Sequence, residues 1–298
     1  YRVFGLRVDS ALPCPELLPV AEDSVADIRI ELSPLEACLP NATFSGPRVQ
    51  SAPDTYQFQI PEIARYRIEH GARILVDPHP DAAEGDVRLW LLGTALGALL
   101  HQRGLLPLHV SATELNGAAI AFGGASGAGK STLIAALHRR GLPLLTDDVG
   151  VAVPTDQGMR FYPGFPRIKL WRDALEHFGL DHRPLIPDLT RTDKYHLRVD
   201  SGFQAESLPL RRLYLLERSD EDAIRIEQLR GIEAIEQVRA NTYRPGIVQR
   251  LGRSGPHLQA CGRIAQQVEI YRLSRLWQLD RLDATVDRLL VHSEAASA

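Results

Sequence analysis

The sequence predicts an α/β fold: a phosphate-binding-loop (P-loop) core around a mixed sheet, with a small β-rich module at its N-terminus. Three observations predict it. Gly124-Ala125-Ser126-Gly127-Ala128-Gly129-Lys130-Ser131 fits G-x-x-x-x-G-K-[ST] at every fixed position, between an apolar run and a run of strong helix formers. From Leu108 to about residue 180 strand and helix patterns alternate, the order of a layered α/β core. Roughly the first 80 residues instead alternate in short runs punctuated by prolines 13, 15, 19, 34, 40, 47 and 53, the pattern of strands and turns. The break at Asp77-Pro78-His79-Pro80 sets the domains at 1–82 and 83–298.

Taken in order, strands are expected at Arg2–Val8, Ala26–Leu32 and Tyr56–Ile60, each with alternating polarity. Ala64–Ile68 and Ala72–Val76 flank His70-Gly71, the mark of a hairpin turn. Asp86–Gln102 places Leu89, Leu91, Leu92, Ala95, Leu96 and Leu99 at helical spacing. Leu108–Ala112 and Ala118–Phe122 read as strands on either side of Asn116-Gly117. Ser131–Arg140 is a helix, closed by Gly141 where a left-handed residue belongs. Leu142–Asp148 is an apolar strand ending in two carboxylates. Arg212–Leu216 reads as a later strand, and Ile232–Arg239, Leu258–Gln267 and Asp280–Leu290 as helices. The tail Ser293–Ala298 is expected to fray.

The 298 residues are 44% hydrophobic and 24% charged, with a formal net charge of -3, which is the balance of a soluble globular protein. That charge disfavours nucleic acid as a partner. No apolar run reaches the roughly 18 residues of a membrane span, so no membrane partner is expected. No basic stretch followed by an apolar one marks a secretion signal. Cys14, Cys38 and Cys261 are an odd number without paired spacing, so we expect buried free thiols and a cytoplasmic location. Of the 34 basic residues only Lys130, Lys169 and Lys194 are lysine. In so arginine-rich a chain, a lysine suggests a place that needs a compact ammonium rather than a planar fork.

The loop's chemistry follows from its residues. Glycines let successive backbone N–H groups face one concavity, and the helix that begins at Lys130, Ser131 and Thr132 adds its positive end. Lys130 would neutralise phosphate oxygens and the Ser131 hydroxyl would ligate Mg2+, which makes ATP and Mg2+ the expected cofactors. Asp147 and Asp148 follow Lys130 after one helix and one short strand, so the acidic strand end is the next element after the loop helix. On a strand two adjacent aspartates face opposite ways, one toward the metal and one toward an acceptor hydroxyl. Arg167, Lys169 and Lys194 are candidate phosphate or acceptor clamps. Nine arginines between Arg239 and Arg288 read as an ion-paired helical surface, or, at Arg244, Arg250 or Arg253, as contacts to an acidic partner or a phosphate.

In their order and spacing, His109, Gly124–Ser131, Arg140-Gly141 and Asp147-Asp148 resemble the catalytic domain of the HPr kinase/phosphorylase family. Tyr162 to Trp171 and Asn241-Thr242-Tyr243-Arg244 resemble the HPr-kinase-like proteins found beside peptide-maturation genes, some of which phosphorylate the terminal serine of a lasso-peptide precursor. The resemblance implies a phosphoenolpyruvate-carboxykinase-like fold and an ATP- and Mg-dependent serine kinase. By it, Asp147 would be the base at the acceptor hydroxyl, Asp148 would support the metal with Ser131, and His109 would sit near the reacting phosphate. Its partner would be a peptide or small protein carrying the acceptor serine. The family's Glu-x-Arg-Gly stretch has no counterpart at Phe161-Tyr162-Pro163-Gly164, which leaves Asp147 and Asp148, or Asp173, to hold metal. The arginine-rich segment tied to the reverse reaction is reduced to Arg244-Pro245-Gly246, so the forward reaction is expected. Classical members form hexamers; a homo-oligomer stays open here.

Two further readings remain. One is a small-molecule kinase acting, for example, on free serine; the other is a nucleotide-dependent module that binds a peptide without phosphorylating it, its β-rich region capturing a strand. Phosphorylation of free serine discriminates the first, and ATP binding without transfer the second.

Overall fold

The computed structural model describes residues 1–21, 25–183, 185–188 and 191–295. The chain forms two compact units, Tyr1–Pro107 with Thr242–Ala260, and Leu108–Asn241 with Cys261–Ala298. Both mix helices with sheet, and the larger carries a mixed parallel and antiparallel sheet, as the sequence predicts. Among the described residues, no helix is long and apolar enough to cross a membrane.

The first unit is built on an eight-stranded sheet in the order Arg2–Val3, Leu6–Ser10, Ile28–Leu32, Arg73–Pro78, Ala64–Glu69, Thr55–Ile60, Val49–Ala52, Phe44–Ser45. The strand expected over Arg2–Val8 is in fact a tight hairpin, because Phe4 and Gly5 both take positive φ, 52° and 77°. The hairpin at His70-Gly71 forms as expected, with Phe58 stacked on Tyr66 at 4.7 Å beneath it. The helix expected from Asp86 runs Glu84–Gln102, with a π-turn at Leu91–Ala95. Its apolar stripe (Leu91, Leu96, Leu99) is fully buried in this unit, the Tyr66 hydroxyl donates to the Val87 carbonyl at 2.9 Å, and Gln102 bonds the Gly71 N–H and the Ile68 carbonyl. Residues 83–107 and 242–260 thus belong with the N-terminal sheet, so the boundary read at residue 82 falls inside this unit. Proline punctuation marks the end of a strand, but the helix behind it is what closes the core.

In the second unit the strand Ala118–Gly123 is buried along its whole length, which is why it reads as a continuous apolar run. It pairs antiparallel with Ser111–Leu115 and parallel with Leu208–Arg218, which in turn runs parallel with Glu269–Arg275. Leu144–Thr146 lies on the far side of Ser111–Leu115. The helix Lys130–Arg139 seals one face, with Leu133, Ile134 and Leu137 packed among Phe122, Tyr214, Leu216 and Leu273. The C-terminal helix Leu282–Ala295 adds Val286 and Leu289 to the same core. Ser293, where fraying was expected to begin, is 1% exposed: its carbonyl accepts from Arg212 at 2.7 Å and its hydroxyl meets Tyr214. Residues 296–298 of that tail lie outside the described residues. A separate three-stranded sheet, Arg167–Trp171, Lys194–Arg198 and Ile186–Pro187, carries two of the three lysines. Of the thiols, Cys14 and Cys261 are buried but Cys38 is exposed, against the expectation for it; all three are free.

Candidate active site

The strand Ala118–Gly123 delivers the glycine loop to the N-terminus of the helix Lys130–Arg139, the strand-to-helix junction read from the sequence. Gly124 has φ 131°, and a Cβ there would lie 2.8 Å from the Leu216 carbonyl; Gly129 has φ 80°, and its Cβ would meet the Arg275 guanidinium at 2.7 Å. The positive φ favours glycine at both positions, and at Gly124 the Leu216 backbone also leaves no room for a Cβ. The Gly124 N–H donates to Asn241 Oδ1 at 2.6 Å, which holds the loop's first residue. Lys130 is buried, and its ammonium donates to the carbonyls of Gly124 (2.8 Å) and Ala125 (3.1 Å), so it closes the loop on itself. Burial lowers its pKa, against the pull of Asp147 and Asp148.

The two aspartates sit beyond the strand Leu144–Thr146 rather than on it. Asp147 is 3% exposed and accepts hydrogen bonds at both carboxylate oxygens. Its Oδ1 accepts from the hydroxyls of Ser111 (2.5 Å) and Ser131 (2.9 Å), and its Oδ2 accepts from the Lys169 N–H (2.8 Å). Asp148 has φ 94°, an unfavourable conformation for a residue with a side chain. Its Oδ2 meets the Lys169 ammonium at 2.8 Å, while His109 Nδ1 faces both its carbonyl (3.0 Å) and its Oδ1 (3.3 Å). Since both neighbours are acceptors, the proton belongs on Nδ1. Burial works against ionisation of Asp148, yet Lys169 and His109 more than offset it and hold the carboxyl well below the usual carboxylate range. Burial likewise pushes the His109 imidazole down, opposed by Asp148. His109 was expected on an apolar strand; it lies in the break between Leu106–Leu108 and Ser111–Leu115, which frees its ring to reach Asp148.

All three lysines gather here. Lys130 closes the loop and Lys169 pairs with Asp148, while Asp147 and Asp148 act on Lys194 from nearby, opposing the burial that lowers its pKa. Lys194 lies 5.7 Å above the Trp171 ring. Arg167 stacks on Phe165 at 4.7 Å and approaches His196 Nδ1 at 3.3 Å, beside this group rather than in it. Asp173, weighed as a metal ligand, accepts its neighbour's N–H at Ala174. Arg244 belongs to the other unit, where it takes φ 53° ahead of the helix Pro245–Arg250 and lies over Tyr243. Arg250 and Arg253 are there too, over Phe44 and paired with Asp54. Sequence reasoning passed over Ser111, Asn241 as a loop clamp, and Arg275. A serine in the apolar stretch Leu108–Ala112 was the available signal for the first; nothing local marks the other two, which arrive from distant strands and helices.

A pocket of about 380 Å³ opens beside Gly124 and Ala125, lined by Leu216, Glu217, Gln237 and Arg272 among others. No cluster of three or more His, Cys, Asp or Glu side chains that could hold a metal occurs among the described residues. No protein-family model matches the sequence, and no curated protein matches it. Among solved structures, the Hpr(Ser) kinase/phosphatase from Coxiella burnetii is similar at 13% identity, over 64% of this chain and 99% of that one, with a TM-score of 0.32. A likeness at that level carries no functional weight.

Proposed function

We propose that the chain is a nucleotide-dependent kinase that moves the γ-phosphoryl group of ATP to a hydroxyl, with Mg2+ as the metal and a serine of a peptide or small protein as acceptor. The Ser131–Asp147 pair carries this reading: a hydroxyl in the first turn after the glycine loop, 2.9 Å from a buried strand-end carboxylate. Both are hard oxygen donors, the ligand chemistry that suits Mg2+. Ser131 and Asp147 would hold such a cation, which would supply positive charge against the charge that develops in phosphoryl transfer. The loop amides would cradle phosphate oxygens, for which Lys130 would exchange the carbonyls it now meets.

The aspartates take roles opposite to those the family resemblance implies. Asp147 is enclosed by Ser111, Ser131 and the Lys169 N–H, so it fits the metal side. Asp148 is the more open of the two and faces Lys169 and His109, so we assign it to orient the acceptor hydroxyl and receive its proton. In a loose phosphoryl-transfer transition state, positioning counts for more than the basicity of that carboxylate. The terminal serine of a lasso-peptide precursor is one acceptor to test, on the resemblance alone, and a cytoplasmic setting rests on the cysteine pattern.

Calorimetric titration with ATP and Mg2+, together with intact mass of serine peptides after incubation, tests this. Wild type should add one phosphoryl group, and Lys130→Ala should abolish the gain. Asp147→Asn should remove the Mg2+ dependence of ATP binding. Asp148→Asn should still bind ATP while transfer falls about 10²–10⁴-fold. A wild-type protein that binds no ATP overturns the reading.

A further inference from the structure

The strand Arg167–Trp171 has one partnered edge and one open one. On the partnered side it runs antiparallel to Lys194–Arg198. The Val199 N–H donates to the Pro166 carbonyl at 3.0 Å and the Arg172 N–H to the Asp193 carbonyl at 2.9 Å. In an antiparallel ladder the residues that exchange bonds alternate. Ile168 and Leu170 therefore turn their backbone groups toward Lys194–Arg198, while Arg167, Lys169 and Trp171 turn theirs away. The Lys169 N–H confirms the direction, since Asp147 Oδ2 accepts it on the open side. One step further along, the Lys169 carbonyl and the Trp171 N–H face the same side, and neither has a partner among the described residues. The helix Arg172–His177 begins immediately afterwards. What remains is an acceptor and a donor in strand geometry, bounded by Asp147 and by a helix start.

The side chains of this strand sort by face. Ile168 and Leu170 are buried in the core, whereas Lys169 and Trp171 lie on the other face, where Lys169 meets Asp148. Trp171 is 38% exposed, and its ring carries the Lys194 ammonium above it. A tryptophan at an open strand edge beside a carboxylate–ammonium pair has little role in the core.

We propose that this edge is the docking strand for the acceptor: an extended peptide segment pairs its N–H with the Lys169 carbonyl and its C=O with the Trp171 N–H. The inference rests on the phosphoryl-transfer reading for its chemistry. An unpaired acceptor and donor one residue apart are the complement of an extended backbone, the mode of strand addition. The added strand lies about 4.8 Å away, so its side chains on the Lys169 face stand about 5 Å from that lysine's Cβ, within reach of Asp148. A serine at that register presents its hydroxyl to Asp148, and Lys194 favours a carboxylate in the same segment. Specificity would then come from side chains on the Trp171 face, because backbone pairing is indifferent to sequence.

The test exploits the backbone of Trp171, whose φ of -75° and ψ of 158° suit proline. Trp171→Pro removes the indole and the outward N–H; Trp171→Ala removes the indole alone. Neither touches the bonds to Lys194–Arg198. The probe is a nonapeptide pool with a central serine and randomised flanks that include Asp and Glu. Transfer by Trp171→Pro should be about tenfold below that of Trp171→Ala, the effect of one lost hydrogen bond. Binding is read separately, by amide exchange with the pool and no nucleotide present, where the Trp171 amide of wild type should become protected. Equal transfer by the two variants, or an unprotected Trp171 amide, overturns the docking strand. A protected amide with no transfer by wild type supports the docking strand and counts against the kinase reading.

Discussion

Asp147 and Asp148 show how far a residue's surroundings depend on the fold rather than on its place in the sequence. Adjacent in sequence and identical in chemistry, one is enclosed by two hydroxyls and an amide, and the other is held at φ 94° by a lysine and a histidine. Strain of that kind costs about 1–3 kcal/mol and persists where the surroundings over-determine it. The pair itself was legible in the sequence; which contacts each aspartate makes was not, because Ser111 and Lys169 reach them from strands distant in sequence. His101 offers a residue-level prediction. It is 4% exposed with its Nε2 at 2.8 Å from the Tyr243 carbonyl, and burial holds its pKa at about 4. A histidine with a folded pKa below its unfolded value keeps its full stabilising effect above the unfolded pKa, near 6.5, and loses it as pH falls toward 4. Urea unfolding between pH 7 and pH 4 should show wild type losing on the order of 3 kcal/mol more than His101→Gln, which keeps a donor for Tyr243 but cannot charge. Parallel losses in the two proteins would contradict this.

The elements nearest the loop were the most legible, because each is specified locally. Ala118–Gly123, the glycine loop and Lys130–Arg139 follow from an apolar run, a glycine pattern and a helix-forming run, and Gly141 closes the helix at φ 89°. Elements whose ends depend on distant partners were read less well. Arg2–Val8 alternates like one strand but turns at Phe4-Gly5, and Leu282–Ala295 extends past Leu290 because Arg212 and Tyr214 capture Ser293. The loop element makes its own prediction. Gly129→Ala places a Cβ 2.7 Å from a buried guanidinium whose Nε has no partner among the described residues, at a φ of 80°. A left-handed alanine costs about 1–2 kcal/mol, so denaturation should show a loss of that size and calorimetry at least a tenfold weaker ATP affinity. Wild-type affinity in this variant would mean that the loop does not hold phosphate in the conformation described.

Across the whole molecule, the chain crosses between two units three times, at 107/108, 241/242 and 260/261. The sequence shows one composition break, at Asp77 to Pro80, and that break lies inside a unit. A fragment 83–298 should therefore expose Leu91, Leu96 and Leu99, each worth about 1.5–3 kcal/mol of burial. It is expected to aggregate where the full chain stays dispersed, as sedimentation would show; a monomeric fragment with a cooperative melt would restore the boundary at residue 82. The sequence by itself determined the strand–loop–helix junction, its lysine and its hydroxyl, because glycine conformation and helix capping act over a few residues. It also marked three lysines in an arginine-rich chain, and all three converge on the aspartates. Only the tertiary structure decided that Ser111 and Ser131 share Asp147, that Asn241 holds Gly124, and that Lys169 and Trp171 present an open strand edge. Those contacts join residues from 16 to 117 positions apart, and which residues meet over such distances is set by tertiary packing rather than by local pattern.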